Sequence, residues 1–307
     1  MRAAFITEYG DPSVIQVADA PEPVVGMDTV LVEVHAAGVN PVDWKVVAGG
    51  MRGAYPHHLP LIPGWDVAGI VSAVGPAVTT VEPGDRVLAY DREDHVQLGT
   101  FAQRTSVPER AITRIPPGMS IAEAAALPLA GLTAEQVLTA AEVGEGDSVL
   151  VHAAAGGVGT FTTQLARLRG ASVIGTASPG NHDHLRERGV TPVAYGDGLV
   201  DGVRALAPRG VDVVIDLVGG DTLASSYDLL ADGGRVASIA DPQVLQRGGR
   251  YVFVRPDAAM LARLAELVSS GELVVDIAAT YPLEDAAGAL EASRSGHTRG
   301  KVVITML

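Results

Sequence analysis

Between residue 1 and about residue 120 the apolar positions come in short runs, such as Val30 to Val39 and Val67 to Val74, cut at intervals by Gly and Pro. That spacing predicts a β-rich domain. Pro83-Gly84-Asp85 is a turn signal, and Arg86 to Tyr90 reads as the strand that follows it. The pattern changes after Pro116-Pro117-Gly118. Ser120, with Glu123 three residues on, has the form of a capping box and predicts the start of an alanine-rich helix. From Ser148 to Val254 β-branched runs alternate with helical segments: Ser148 to Val151, Gly157 to Arg169, Ser172 to Thr176, His182 to Arg188. This cadence predicts βαβ units and a parallel sheet. Val211 to Asp216 and Arg235 to Ile239 read as further strands. Asp257 to Ser270 places Met260, Leu261, Leu264, Leu267 and Val268 at helical spacing, and Lys301 to Met306 reads as a last strand. The chain is therefore expected to be α/β, without a fixed-period repeat or a low-complexity linker.

Composition narrows the function classes. With 307 residues, 47% of them hydrophobic and 19% charged, the chain is long and apolar enough for two packed domains. A formal charge of -14 and no run of five basic residues argue against nucleic-acid or anionic-lipid partners. Cysteine is absent, which removes disulfides, thiolate zinc ligands and cysteine nucleophiles and fits a reducing cytoplasm. The first ten residues lack the apolar run of a secretory signal. The most apolar stretch, Ala122 to Leu132, is broken by Pro128 and is shorter than the roughly 20 residues of a membrane span, so no membrane segment is expected.

The sharpest local signal is Ser148-Val149-Leu150-Val151-His152-Ala153-Ala154-Ala155-Gly156-Gly157-Val158-Gly159, a strand running into a glycine turn and then an amphipathic helix. A dinucleotide fingerprint needs that context. Gly156 would let the backbone approach a pyrophosphate, Gly159 would let helix pack on strand, and the helix N-terminus offers N–H donors to the anion. Ala154 replaces the usual first glycine. A plain glycine-rich turn of any α/β protein is the alternative. An NAD site would place a carboxylate at the end of the second strand, to bind the ribose hydroxyls. Here that end reads Gly175-Thr176-Ala177-Ser178, so NADP is favoured, with Ser178 and the Asn181-His182 loop available to its 2'-phosphate. Ser178 could equally cap the helix beginning near His182.

Gly38-Val39-Asn40-Pro41-Val42-Asp43, Pro63-Gly64-Trp65-Asp66-Val67-Ala68-Gly69, Ala154 to Gly159 and Gly219-Gly220 occur in the order of one family. Across essentially the whole chain the sequence resembles the zinc-independent quinone oxidoreductases of the medium-chain dehydrogenase/reductase superfamily. The resemblance implies a GroES-like β-rich catalytic domain, residues 1–121 completed by 257–307, around an inserted Rossmann domain, a doubly wound parallel sheet over 122–256, with the active site in the cleft between them. It points to Asn40 and Tyr55 as catalytic residues, although Asn40 could instead cap local backbone and Tyr55 could be a partly buried aromatic. For NADPH it implies Thr133, Ala154, Gly156, Gly157, Val158, Gly159, Ser178, His182, Tyr195, Val218, Ile239, Phe253 and Val254. The plain readings are a continuing helix for Thr133, a packed sheet-edge aromatic for Tyr195 and a core strand for Phe253-Val254. Gly180 stands where such loops often carry a basic residue, and only His182, Arg186 and Arg188 lie near it in sequence.

Zinc-dependent relatives place a cysteine and a histidine-glutamate pair where this chain has Asn40, Trp65 and Asp66, and neither an amide nor an indole is an ordinary zinc ligand. No metal is expected, and the eight histidines are scattered apart from His57-His58. Without a Lewis acid, conjugate reduction remains accessible: hydride adds to the β-carbon of a quinone or α,β-unsaturated carbonyl, and donors stabilise the enolate oxygen. Asp43 and Asp66 are read as structural in preference to an acid/base pair. The expected function is NADPH-dependent reduction of a small quinone or enone by a cytoplasmic homodimer. The alternatives are an enoyl-thioester reductase of lipid or polyketide metabolism and a catalytically idle NADP-binding protein.

Overall fold

A computed structural model describes residues 1–296 and 298–306; His297, one of the scattered histidines, lies outside the described residues. The chain forms two compact units, Met1–Leu132 with Arg255–Leu307, and Thr133–Val254.

The first unit is built on a seven-stranded sheet. Its spatial order runs Ile277–Pro282, Lys301–Thr305, Thr29–Val39, Asp66–Val74, Arg86–Tyr90, Ile112–Arg114, with Arg104–Pro108 also paired on Thr29–Val39. The closing strand Lys301–Thr305 lies antiparallel against Ala36 to Val39, which brings the chain's last residues to the segment before Asn40. In Thr29–Val39 the inward positions Val30, Val32 and Val34 alternate with more exposed ones, as a strand with one buried face should. From Ala36 onward burial is continuous, and helix Ile121–Ala126 packs against this strand and Asp66–Val74. The first compact unit runs on to Leu132. A Cβ at Gly38 would lie 2.3 Å from the Ala125 carbonyl oxygen, so small residues on both sides permit the contact.

Ser120 and Glu123 form the expected capping box. The alanine-rich helix is two helices, however, Ile121–Ala126 and Pro128–Ala140, with Pro128 in the first turn of the second, where its missing N–H costs no hydrogen bond.

The second unit is a six-stranded sheet in the order Thr191–Ala194, Ser172–Ala177, Ser148–Val151, Val211–Asp216, Leu230–Ser238, Arg250–Tyr251. All its pairs are parallel. The strand expected at Arg235 begins at Leu230, with a register shift opposite Val211 to Val213. Val149, Leu150, Val151, Val213, Val214 and Ile215 are completely buried, as central parallel strands covered on both faces must be. No helix among the described residues is long and apolar enough to cross a membrane.

Candidate active site

In the second unit, strand Ser148–Val151 is flanked by Ser172–Ala177 on one side and Val211–Asp216 on the other. Its C-terminal end is where the strand order reverses, the position at which open parallel sheets bind ligands. The turn that follows is pinned to the second strand: Ala153 N donates to Thr176 Oγ1 at 3.1 Å and Ala154 N to Thr176 O at 2.9 Å. Ala153 adopts a left-handed φ of 52°. A Cβ at Gly159 would lie 2.2 Å from Ala153 O, so helix Gly157–Leu168 can leave the turn at this angle only with glycine there. Ala154, in place of the usual first glycine, is matched across the sheet: a Cβ at Gly175 would stand 2.6 Å from Ala154 Cβ, so the missing side chain at 175 makes room for the methyl at 154. Gly156 sits at the N-cap and supplies no side-chain cap. The N–H groups of the first turn, including those of Gly157 and Val158, thus meet no capping oxygen from Gly156, which suits them to a pyrophosphate.

Around this turn, Ser178 is half-buried and accepts from Asn181 Nδ2 at 3.2 Å. It precedes the short turn Pro179–Asn181 without a side-chain cap bond, so the helix-cap alternative for Ser178 does not hold. His182 Nε2 lies 3.2 Å from Ala177 O. Tyr195 is 64% exposed, not packed at a sheet edge. Buried Asp216 organises the next loop: its Oδ1 accepts from Val218 N and Gly219 N at 3.0 and 2.9 Å, and its Oδ2 from Ser238 Oγ at 2.6 Å. Val218 is left half-exposed at the tip, and Ile239 N donates to Asp216 O at 3.1 Å. Phe253 and Val254 follow strand Arg250–Tyr251 instead of forming a strand, with Phe253 exposed and Val254 buried. Thr133 is buried in helix Pro128–Ala140. His152 is also buried, with Nε2 3.0 Å from Ser226 Oγ, and desolvation pushes its pKa down to about 4.

The first unit holds a polar cluster inside its core. Asn40, Asp43, Asp66 and Lys301 are each at most 3% exposed. Asn40 Nδ2 donates to Asp66 Oδ2 at 2.8 Å, and Lys301 Nζ donates to Asn40 Oδ1 and, at 3.0 Å, to Val39 O. Lys301 Nζ stands 3.6 Å from Asp66 Oδ2. Asp43 Oδ2 accepts from Asn40 N at 2.7 Å at the start of helix Pro41–Val47. Asp66 Oδ1 accepts from Leu129 N at 2.8 Å, serving the N-terminus of helix Pro128–Ala140. Burial pushes the Asp43 carboxyl up to about 8. Burial also raises Asp66 and lowers Lys301, each opposed by the other's charge.

Both polar ends of the Asn40 amide are thus committed to buried partners. Tyr55 is half-buried; its ring meets Trp65 edge-on at a centroid distance of 5.9 Å, and its hydroxyl accepts from Arg92 at 3.0 Å. Neither Arg92 nor Lys301 was singled out from the sequence. A lysine opening the apolar run Val302-Val303-Ile304 was the available signal for the second. Among the described residues, no group of three or more His, Asp or Glu side chains is placed to hold a metal ion.

Comparisons with known proteins agree with this architecture. Residues 26–117 match the alcohol dehydrogenase GroES-like domain and residues 188–304 the family described as zinc-binding dehydrogenase. The chain is similar to the chloroplastic NADPH-dependent alkenal/one oxidoreductase of Arabidopsis thaliana, 34% identical over 99% of this chain and 79% of the relative. It is 31% identical to the quinone oxidoreductase of Mus musculus, over 100% of this chain and 98% of the relative. The solved quinone oxidoreductase of Coxiella burnetii superposes with a TM-score of 0.90 at 34% identity, covering 100% of this chain and 99% of the other.

Proposed function

Because the chain belongs to the medium-chain dehydrogenase/reductase superfamily, we propose that it is an NADPH-dependent oxidoreductase that reduces quinones or α,β-unsaturated carbonyls without zinc. The observation that carries the cofactor is the turn at Ala153 to Gly159, whose close backbone approach and uncapped helix N-terminus fit a pyrophosphate. Ser178 and His182 hold the 2'-phosphate end, exposed Tyr195 lies against the adenosine, and Thr133, Val218, Ile239, Phe253 and Val254 contact the ribose and nicotinamide. NADPH, when bound, supplies hydride to the β-carbon of the acceptor.

Tyr55 donates to the carbonyl oxygen on which charge develops, and the guanidinium of Arg92 donating to its oxygen makes the phenol a stronger donor. Asn40 is the second catalytic residue of this reading, its amide held by Asp66 and Lys301, while Asp43 and Asp66 shape the catalytic unit from within. The donor chemistry supports independence of zinc: the chain has no cysteine, Trp65 stands where an imidazole would be needed, and Asp66 is already paired with Lys301. The protein is proposed to act as a cytoplasmic homodimer on small-molecule acceptors.

The test is NADPH and NADH titration of metal-free protein followed by 1,4-benzoquinone, 3-buten-2-one and a crotonyl thioester, with absorbance read at 340 nm. Oxidation of NADPH that depends on the quinone or the enone supports the reading. Preference for the thioester makes the protein an enoyl-thioester reductase, and nucleotide binding without turnover makes it a binding protein.

A further inference from the structure

Asn40 is held between two partners of opposite hydrogen-bonding polarity. Lys301 Nζ donates to Asn40 Oδ1, whereas Asp66 accepts at both oxygens, from Asn40 Nδ2 at one and from Leu129 N at the other. A primary amide has two orientations related by a flip, and only one satisfies both neighbours. Asp66 in turn reaches two further elements. Its second oxygen takes the N–H of Leu129 in the first turn of the helix that carries Thr133. Its backbone neighbour is Trp65, the ring against which Tyr55 packs. Stability alone does not call for a lysine at this place, since a buried ion pair replaced by apolar residues of similar volume is often as stable or more so.

We propose that Lys301 is a positioning residue for the reductase reaction: from the first position of the closing strand its amine fixes the Asn40 amide and the Asp66 carboxyl group, and through Asp66 the segments bearing Leu129 and Tyr55. This rests on the reductase reading, and Lys301 touches neither acceptor nor cofactor in it. Its action is orientation. Removing it takes away the donor to Asn40 Oδ1 and the partner charge of Asp66, and leaves the amide held at its nitrogen end alone.

Two variants separate orientation from mere charge balance. Lys301→Met removes the donor and leaves a buried carboxylate uncompensated. Lys301→Met combined with Asp66→Asn removes both charges, but the new amide at 66 can present either a donor or an acceptor to Asn40 and no longer dictates its orientation. With NADPH and 3-buten-2-one, Lys301→Met is expected to lower kcat on the order of 10- to 100-fold, the effect of a small misplacement of reacting groups, with the KM for NADPH within about twofold of the parent. The double variant is expected to recover Tm while kcat stays low.

A readout that needs no turnover is hydrogen exchange at the Asn40 side-chain amide, assigned by its disappearance in Asn40→Asp. It should be slow in the parent, faster in Lys301→Met, where Asp66 alone holds the amide, and fastest in the double variant. Unchanged exchange in Lys301→Met overturns the proposal, as does recovery of both Tm and kcat in the double variant. If the parent oxidises NADPH with neither 3-buten-2-one nor 1,4-benzoquinone, the reductase reading fails by itself, and the exchange measurement still decides whether Lys301 sets the amide.

Discussion

The glycine turn of the second unit is made by neighbours in sequence, Val151 to Gly159, with one long-range partner strand at Gly175 and Thr176. The polar cluster of the first unit gathers residues 40, 43, 66 and 301, which meet only after a sheet has formed and the chain's last strand has docked on it. The turn is governed by steric distance to backbone atoms that cannot yield. The cluster is governed by charge and hydrogen-bond polarity in a dry interior, where every donor must find an acceptor. The two regions should therefore break in different ways.

The largest effect is expected at the turn. Gly159→Val places branched carbon where even a Cβ would be 2.2 Å from Ala153 O, and helix and turn must separate. NADPH binding, followed by fluorescence titration, should weaken by about 100-fold or more, equivalent to about 2.7 kcal/mol. Binding within a few-fold of the parent would mean that the pyrophosphate lies elsewhere.

Acid and alkali should separate the two units next. His152, in the second unit, has its pKa pushed down to about 4 by desolvation, so between pH 6.5 and about 4 the unfolded chain takes up a proton that the folded chain refuses. Its contribution is present above pH 6.5 and is lost as pH falls toward 4. Denaturant unfolding of His152→Gln across that range should show a flatter acid limb. In the first unit the sign reverses. Asp91 is buried, accepts one hydrogen bond from Thr105 Oγ1 at 3.0 Å, and is pushed by desolvation up to about 8. It contributes stability that is fully present below pH 3.8 and is lost as pH rises toward 8, so Asp91→Asn, which removes the ionisation, should flatten the alkaline limb. Parallel pH profiles of parent and Asp91→Asn would refute the buried-acid account.

The smallest expected effect tests the exchange of small residues across the sheet. Gly175→Ala brings a methyl 2.6 Å from that of Ala154 and should cost about 1–3 kcal/mol by overpacking. Adding Ala154→Gly should recover much of it, measured as a double-mutant cycle on thermal unfolding. Simple additivity of the two changes would show that the positions do not share the space.

Much of this protein was legible before folding. The strand, glycine turn and helix from Ser148 to Leu168 and the βαβ cadence after them are short-range patterns, and Gly159 declares its role through its neighbours. The capping box of Ser120 and Glu123 is equally local. What could not be read was any relation whose members are distant in the chain. Arg92 donates to Tyr55 across 37 positions, and Lys301 reaches Asn40 across 261. In sequence each is only a charged residue in an ordinary place.

Tyr195 and Phe253 show the same limit from the other side, since an aromatic after a strand reads as core until its neighbours are known, and both are exposed. Sequence by itself determined the fold class, the glycine turn and the absence of thiolate chemistry, because periodicity, backbone sterics and residue type act over a few positions or none. Tertiary structure decided which polar groups share a dry interior and in what orientation, because burial and hydrogen-bond polarity are properties of the assembled neighbourhood and not of any residue alone.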